Sequence, residues 1–401
     1  MNSIEDVQAR SVSAASHLVH TDEPVVHQKA GKLNLKASNN YVAHRMQKFS
    51  VVNPNSQPTA ALSGGSSFTD FRLVSSEPLN DMTLKLTLTA SSTLTGTTSP
   101  LVAENVFSII DRVQILLENG SIVANEAYAD HYKSAHALLP EDSYRCIQNA
   151  MTADNATFDA SDSKNIYLNL SLSGDVLSQN NIPISALSSP VTVRVHWASG
   201  SYLAVTSELE ITNASLLLSQ YQYDKSVRAK TFSKFMSGPA LHFRYARNGI
   251  QKTQETITPN TPFQLKLSSI HGIITSMKVI LTYQGSRREI DSLDLLAPSG
   301  ETILGTRVDH KYLQMFRGKQ GRIVQSLDTN DIFDVPISEM NTAAHESEGQ
   351  IPGYFVSNGN HNLSFTYVNV SNTQIAMEVV VLYSSVSTME VKGGVCSIAH
   401  S

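Results

Sequence analysis

The chain repeats part of its own sequence, and this repeat limits the possible folds more than any other feature. Residues 110–116 read IDRVQIL, and residues 290–296, 180 positions later, read IDSLDLL. The same spacing of 180 residues separates Gly120 from Gly300. Alternation of apolar and polar residues is typical of a half-buried strand, and a glycine a few residues later is typical of a turn. The repeat therefore predicts the same strand and turn in two halves of the molecule.

Three further pairs of segments follow the first pair in the same order. Asp130-His131 recurs as Asp309-His310, at a spacing of 179 residues. The sequence IPIS at 182–185 recurs as VPIS at 335–338, and the triplet LLL at 216–218 recurs as VVV at 379–381. No single pair is specific, but an ordered set in two halves of similar size predicts a duplicated domain.

Alternation with a period of two extends over most of the chain from about residue 49. In the segment 83–89 (TLKLTLT), leucine alternates with polar residues, which is the pattern of a strand with one buried face. Similar short runs fill both halves, with Gly or Asn-Gly at several turns between them. We expect short helices in connections, at 127–139 and 308–316. Many short strands with little helix predict an all-β fold of the sandwich or barrel class.

About eight strands are predicted in each copy, which is the number of strands in a jelly roll. We therefore predict two tandem eight-stranded jelly rolls, with a hinge between them at 224–234. The predicted parts are an extended N-terminal arm (1–48), a first jelly roll (49–225), a second jelly roll (226–395) and a C-terminal tail (396–401).

The charge balance argues against a dedicated nucleic-acid binder. The chain has 30 basic and 35 acidic residues, and a pI of about 6.2. A protein that binds nucleic acid normally has a marked basic excess. The two cysteines, Cys146 and Cys396, form neither a disulfide framework nor a Cys-x-x-Cys site, which favours a reducing compartment. We expect no sequence-specific nucleic-acid partner.

The predicted arm has a basic stretch. No acidic residue lies between Glu23 and Asp70. One interpretation is that the arm contacts an anionic surface, either phospholipid or packaged nucleic acid. The other is that it is a solvated tail whose charge has no function. The candidate contact residues are Lys29, Lys32, Lys36, Arg45 and Lys48.

The chain lacks the common catalytic and nucleotide-binding motifs. It has no G-x-G-x-x-G, Walker A or G-x-S-x-G sequence. His345-Glu346 lacks the second histidine of a zinc-protease helix, and the acidic segment 328–334 is interpreted as a turn rather than a calcium site. The repeated Asp-His pairs, together with Asp111 and Asp291, are assigned structural roles. We predict no enzyme activity, no catalytic residues, no cofactor and no metal.

With this organisation, the chain resembles the double jelly-roll major capsid proteins. The resemblance lies in residues 107–125 (FSIIDRVQILLENGSIVAN) and 374–385 (QIAMEVVVLYSS). These proteins form the shells of tailless icosahedral double-stranded-DNA viruses with an internal membrane, and tectivirus-like and corticovirus-like bacteriophages have the most similar chain length. The resemblance implies pseudo-hexameric homotrimers that tile a virion shell assembled in the host cytoplasm. It also implies penton, minor capsid or membrane proteins as partners, and an arm that points inward toward the lipid membrane.

Two other functions remain open from the sequence. A two-domain β-sandwich could serve as a receptor-binding spike, an adhesin or a lectin. Lectins usually stack sugars on exposed aromatic rings, whereas the single tryptophan, Trp197, lies in an alternating strand and is predicted to be buried. The third possibility is a β-sandwich hydrolase whose active site is spread over several loops.

Overall fold

A computed structural model describes most of the β framework and part of the connections. The described residues are 27–29, 32–34, 46–56, 60–61, 68–74, 77–95, 109–128, 130–131, 158–170, 177, 182–198, 209–284, 286–304, 307–309, 311–312, 332–335, 337, 353–371 and 373–400.

The first half contains two antiparallel sheets that face each other. One has the order β3-β11-β6-β9, with β4 also paired to β11, and the other has the order β5-β10-β7-β8. Strands β1 and β2 form a separate hairpin. The strands are β1 His27–Lys29, β2 Lys32–Asn34, β3 Met46–Val52, β4 Ala60–Ala61, β5 Phe68–Leu73, β6 Leu79–Ala90, β7 Ile110–Leu117, β8 Ile122–Ala127, β9 Ser163–Asn169, β10 Val191–Trp197 and β11 Leu209–Gln222.

The predicted alternation is what places these sheets face to face. In β6, the side chains of Leu84, Leu86 and Leu88 are fully buried, whereas Lys85 and Thr87, which lie between them, are half-buried. Successive side chains of a strand point to opposite faces, so the leucines line the core between the two sheets. Trp197 is also buried there, as the sequence predicted, and its indole N–H donates to the Thr69 hydroxyl at 2.9 Å.

The second half follows a helix and has the same arrangement of sheets. Its sheets have the orders β12-β21-β14-β15, with β18, β19 and β22 also attached, and β13-β20-β16-β17. A 3₁₀ turn, η1, at Ile184–Ala186 belongs to the first half. The elements are α1 Lys225–Ser237, β12 Leu241–Ile257, β13 Pro262–Lys266, β14 Gly272–Tyr283, β15 Ser286–Arg288, β16 Ile290–Leu296, β17 Val308–Asp309, β18 Ile332–Val335, β19 Tyr354–Val356, β20 Asn362–Tyr367, β21 Ile375–Lys392 and β22 Val395–His400.

The internal repeat is present in three dimensions. The repeated segments are β7 and β16, and each lies third in its four-stranded sheet. The turns that follow them are also equivalent, because Gly120 and Gly300 have φ angles of 84° and 85°. In each turn the glycine N–H donates to the carbonyl three residues earlier, on Leu117 or Ala297. Each half is therefore built from two sheets with equivalent strands, and the second half has additional short strands.

Three local predictions differ from the structure. The hinge at 224–234 is largely helix α1, whose buried side chains Val227, Thr231 and Phe235 recur every four residues. The helix expected at 308–316 begins instead as strand β17, because Val308 is buried opposite Leu293. Most of the tail expected at 396–401 lies in β22, which pairs with the end of β21. Most of the other predicted helix, 127–139, lies outside the described residues, and the domain boundaries remain predictions.

Candidate assembly interfaces

Two long strands connect the halves. β12 and β21 pair over their whole common length, and one end of the pair, with β22 attached, extends beyond the second sandwich. The side chains at this end join the hydrophobic core of the first half instead of the second. They are Phe243, Tyr245, Met389, Val391 and Cys396.

Polar contacts fix the same junction. The Tyr245 hydroxyl donates to the Val123 carbonyl at 3.0 Å, and the Asn248 amide donates to the Glu126 carboxylate at 2.7 Å. Burial raises the pKa of Tyr245 to about 12, and it raises the pKa of the Cys396 thiol to about 11. Both groups are therefore neutral at physiological pH, as an apolar contact between two sandwiches requires.

The first Asp-His pair also bridges the halves. The Asp130 carboxylate lies 2.6 Å from the Lys252 ammonium, and His131 Nε2 donates to the Gly249 carbonyl at 3.1 Å. Burial, and then the positive charge of Lys278, lower the pKa of His131 to about 4. His131 is therefore a neutral hydrogen-bond donor that holds the segment after β8 against the second sandwich.

The second Asp-His pair has a different environment. The Asp309 carboxylate accepts hydrogen bonds from the backbone N–H groups of Lys311 and Tyr312, at 2.7 and 3.3 Å. A carboxylate in this position stabilises the start of a helical turn. His310 lies outside the described residues. The structural roles assigned to Asp130 and Asp309 agree with these contacts.

Beneath the Asp130-His131 contact, the outer face of the β12-β21-β14 sheet is apolar and buried. Here "outer" means the face that points away from the core of its own sandwich. Ile332 and Leu382 are 0% and 2% exposed, although neither belongs to that core. We call this surface the covered face; its residues are Ile250, Ile280, Ile332, Val380 and Leu382.

The corresponding outer face of the first half is exposed. On β3, Phe49 and Val51 are 74% and 61% exposed, and Leu217 of β11 lies beside them, half-buried. Among the described residues β3 pairs only with β11, so its other edge has no partner strand within that part of the chain. We call Phe49, Val51 and Leu217 the open face.

Strand register relates the two faces position by position. Leu217 pairs with Val51 on one side and Thr83 on the other, and Val380 pairs with Lys252 and Ile280 in the same way.

The next positions on the same faces of β11 and β21 are Ser219 and Leu382. Ser219 lies between Phe49 and Asp81 on the neighbouring strands. Leu382 lies between Ile250 and Lys278 in the same way. Phe49 thus takes the position of Ile250, and Asp81 takes that of Lys278.

Among the basic residues of the predicted arm, two are neighbours in the described part of the chain. Lys29 and Lys32 are paired positions in the β1-β2 hairpin. Lys48 is not in an arm, because it lies within β3 opposite Gln220, where its side chain is exposed. Lys36 and Arg45 lie outside the described residues.

No catalytic constellation forms among the described candidates. Asp111 and Asp291 are exposed, at equivalent positions of β7 and β16. No group of His, Cys, Asp or Glu in the described ranges is placed to hold a metal ion. A search of the same residues finds no helix long and apolar enough to cross a membrane. His345, Glu346 and most of the segment 328–334 lie outside the described residues.

One surface cluster was missed by the sequence analysis. On the outer face of β5 and β10, Arg194 makes two hydrogen bonds to Asp70, at 2.7 and 2.8 Å, and stacks 4.1 Å from the Phe68 ring centroid. The His196 ring lies 5.8 Å from the same centroid. The alternation in 68–73 and 191–197 contains this signal, since both runs place their charged residues on one face.

Comparison with known proteins gives structural matches only. No family model matches the chain, and no curated protein sequence matches it. The structure of VP54 from PBCV-1, fitted into a reconstruction of the virophage Sputnik, matches with a TM-score of 0.66 and 12% identity over 91% of this chain and 99% of that one. The Faustovirus major capsid protein matches with a TM-score of 0.58 and 8% identity, over 90% and 93% of the chains. The mavirus major capsid protein matches with a TM-score of 0.51 and 11% identity, over 92% of both.

The chain has the double jelly-roll fold. The matched structures are double jelly-roll major capsid proteins, and each match spans nearly the whole of both chains. The fold class predicted from the repeat is thereby confirmed. At 8–12% identity the matches establish the fold alone. Because sequence is so divergent within this fold, the bacteriophage origin stays a prediction.

Proposed function

We propose that this protein is the major capsid protein of an icosahedral virus, and that it tiles the virion shell as a pseudo-hexameric homotrimer. The observation that carries the proposal is the pairing of two jelly rolls through a shared apolar junction. Three copies of such a chain supply six similar modules, which suit a lattice position with six neighbours. The structural likeness to capsid proteins over nearly the whole chain supports the same function.

A shell role requires rigid packing of the two modules. The junction meets this need, because Tyr245 and Asn248 from β12 hold β8 through hydrogen bonds within a buried apolar contact. A chain whose two modules moved independently would not present a fixed hexagonal outline. We also propose that the protein has no enzyme activity.

The arm is proposed to face the particle interior. Lys29, Lys32, Lys36 and Arg45 give it a positive charge that suits anionic lipid headgroups, at about 1 kcal/mol for each residue near the surface. An internal membrane, penton proteins and minor capsid or membrane proteins are the proposed partners. We place the protein in the virion, with assembly in the host cytoplasm.

Mass measurement tests the proposal directly. The purified full chain is expected to run as three chains of 43.7 kDa in sedimentation and native mass spectrometry, and to form hexagonal arrays or shells on concentration. A chain that stays monomeric at high micromolar concentration would exclude a capsid function. Deletion of residues 1–40 is expected to leave the trimer intact and to abolish binding to vesicles that contain anionic lipid, whereas neutral vesicles serve as the control.

A further inference from the structure

We propose that a groove beside helix α1 binds one acyl chain of an anionic phospholipid. The inference rests on the proposed function, because the proposed internal membrane is the source of the lipid. It assigns a site for a single lipid molecule, in addition to the proposed arm, whose charge suits the membrane surface as a whole.

The groove lies where α1 packs on the first jelly roll. Its volume is about 430 Å³, which is within the size range of small-molecule pockets. One wall contains Ala229, Thr231 and Phe232 of α1, and the other contains Pro78 and Pro183.

Both walls are apolar, and one of them is rigid. Pro78 precedes β6 and Pro183 precedes η1; the two residues are paired in an isolated β-bridge, and both are buried. A proline ring fixes its own φ angle, so this wall loses little freedom when a ligand binds. On the other wall, Phe232 is 39% exposed, and the Thr231 hydroxyl already donates to the Val227 carbonyl at 2.8 Å. The groove therefore suits an apolar chain better than a polar ligand.

Charge indicates which kind of chain the groove accepts. The exposed Lys225 and the half-exposed Arg228 also line it. Because the Glu77 carboxylate pairs with Arg228 at 2.7 Å, Lys225 supplies the positive charge at the groove. Helix α1 contains four basic residues and no acidic one, although Asp224 directly precedes it. A negative headgroup attached to the chain would thus meet a net positive surface.

The place of the groove in the fold indicates the membrane as the source of the ligand. Met46, the first residue of β3, pairs with Gln222 at the end of β11, and α1 begins shortly afterwards at Lys225. The arm and α1 are therefore connected to the same end of the first jelly roll. Since the arm is proposed to face the particle interior, the groove faces the same membrane.

One bound chain would not attach the protein to a membrane by itself. A single acyl chain gives marginal and reversible binding, and stable attachment takes a second signal such as a basic segment. The proposed arm supplies that signal. Deletion of residues 1–40 should therefore remove binding to vesicles and leave the groove able to bind a soluble lipid.

Calorimetric titration of the full chain with dihexanoylphosphatidylglycerol, kept below its micelle concentration, tests the groove. We expect one lipid to bind per chain, and the choline analogue, which has no net charge, to bind about fivefold more weakly. The chain without residues 1–40 is expected to bind the glycerol lipid as the full chain does.

Variants of α1 locate the site. Phe232→Ser removes part of a wall and is expected to weaken binding about tenfold. Lys225→Glu, which places a negative charge at the groove, is expected to weaken it by a similar factor. Lys230→Glu is the matched control, because it makes the same change of charge at an exposed position of α1 that does not line the groove. Trimer formation and thermal unfolding should be unchanged in all three variants.

Three outcomes would overturn the inference. Equal weakening by Lys225→Glu and Lys230→Glu, or unchanged binding by Phe232→Ser, would mean that the lipid does not enter the groove. Binding of decanoate without binding of the phospholipid would assign the groove to a free fatty acid. Tighter binding after deletion of residues 1–40 would mean that the arm occupies the groove.

The same measurements separate this inference from the proposed function. A protein that forms trimers and shells but binds no lipid would overturn the inference and leave the capsid function standing. A monomer that binds the lipid in the groove would overturn the capsid function alone.

Discussion

The two outer sheet faces have the same topology and opposite exposure. In the second jelly roll, Leu382 and Val380 are buried although they point away from their own core. In the first, Phe49 and Val51 at the corresponding edge are exposed. The faces also differ in composition, because Ser219 and Thr83 of the first jelly roll take the positions of Leu382 and Ile280. The difference in exposure shows that equivalent faces of the two jelly rolls have different environments within one chain.

The faces also differ in what surrounds them. The covered face is bordered by Lys252, which pairs with Asp130, and by Lys278. The equivalent positions on the open face are Val51 and Asp81. Lys252 at the covered face is therefore paired with a carboxylate of the same chain, whereas Asp81 at the open face accepts hydrogen bonds from the Met82 N–H and the Asn169 amide.

A lysine substituted into each face should give the largest difference in the free energy of unfolding. Leu382→Lys introduces a buried cation near Lys278 and removes an apolar contact, so we expect the free energy of unfolding to fall by about 4 kcal/mol or more. Phe49→Lys, at an exposed site, should change the unfolding of the monomer by less than about 0.5 kcal/mol. Urea denaturation of both variants measures the two effects. Equal losses would show that the faces do not differ in burial.

The strands and turns that recur in the two jelly rolls could be predicted from the sequence. The strand at 110–116, its turn at Gly120 and the buried Trp197 depend on local alternation and on residue type, and these are readable within a few residues. The four-residue spacing of Val227, Thr231 and Phe235 also signals a helix, but three small or aromatic residues in a polar segment give a weak pattern.

The junction between the halves could not be predicted in the same way. The strand β12 is polar at many positions, and its first residues pack on the first jelly roll while its last residue, Ile257, packs in the second. Its pattern therefore reflects two environments at once. The contacts of Tyr245 and His131 are made to residues more than a hundred positions away, and their partners are set by how the sandwiches pack.

The covered face should weaken in acid through His131. Its pKa is about 4 in the folded chain, against about 6.5 in the unfolded one, so the unfolded state binds the extra proton between these values. Stability is then complete above pH 6.5 and is lost as the pH falls toward 4, by up to about 3 kcal/mol. His131→Gln, which keeps an N–H donor, should reduce this loss. Urea titrations at pH 7 and pH 4.5 measure it, with the exposed His242→Gln as the control. The same pH dependence in the wild type and in His131→Gln would mean that His131 does not remain neutral in the contact.

The smallest loss of stability should be the same in the two jelly rolls. It tests whether their turns are equivalent, independently of the open and covered faces. Gly120 and Gly300 have nearly the same positive φ, and there is open space around each Cα. An alanine at either site would therefore meet no neighbour, and its cost would be only that of a left-handed backbone, about 1–2 kcal/mol. We expect Gly120→Ala and Gly300→Ala to destabilise the chain equally within about 0.5 kcal/mol, and Glu118→Ala, at an exposed position of the first turn, to have less effect. Thermal unfolding measures all three. If one substitution destabilised the chain much more than the other, the two turns would not be equivalent. The repeat would then include the strands but not the turns that connect them.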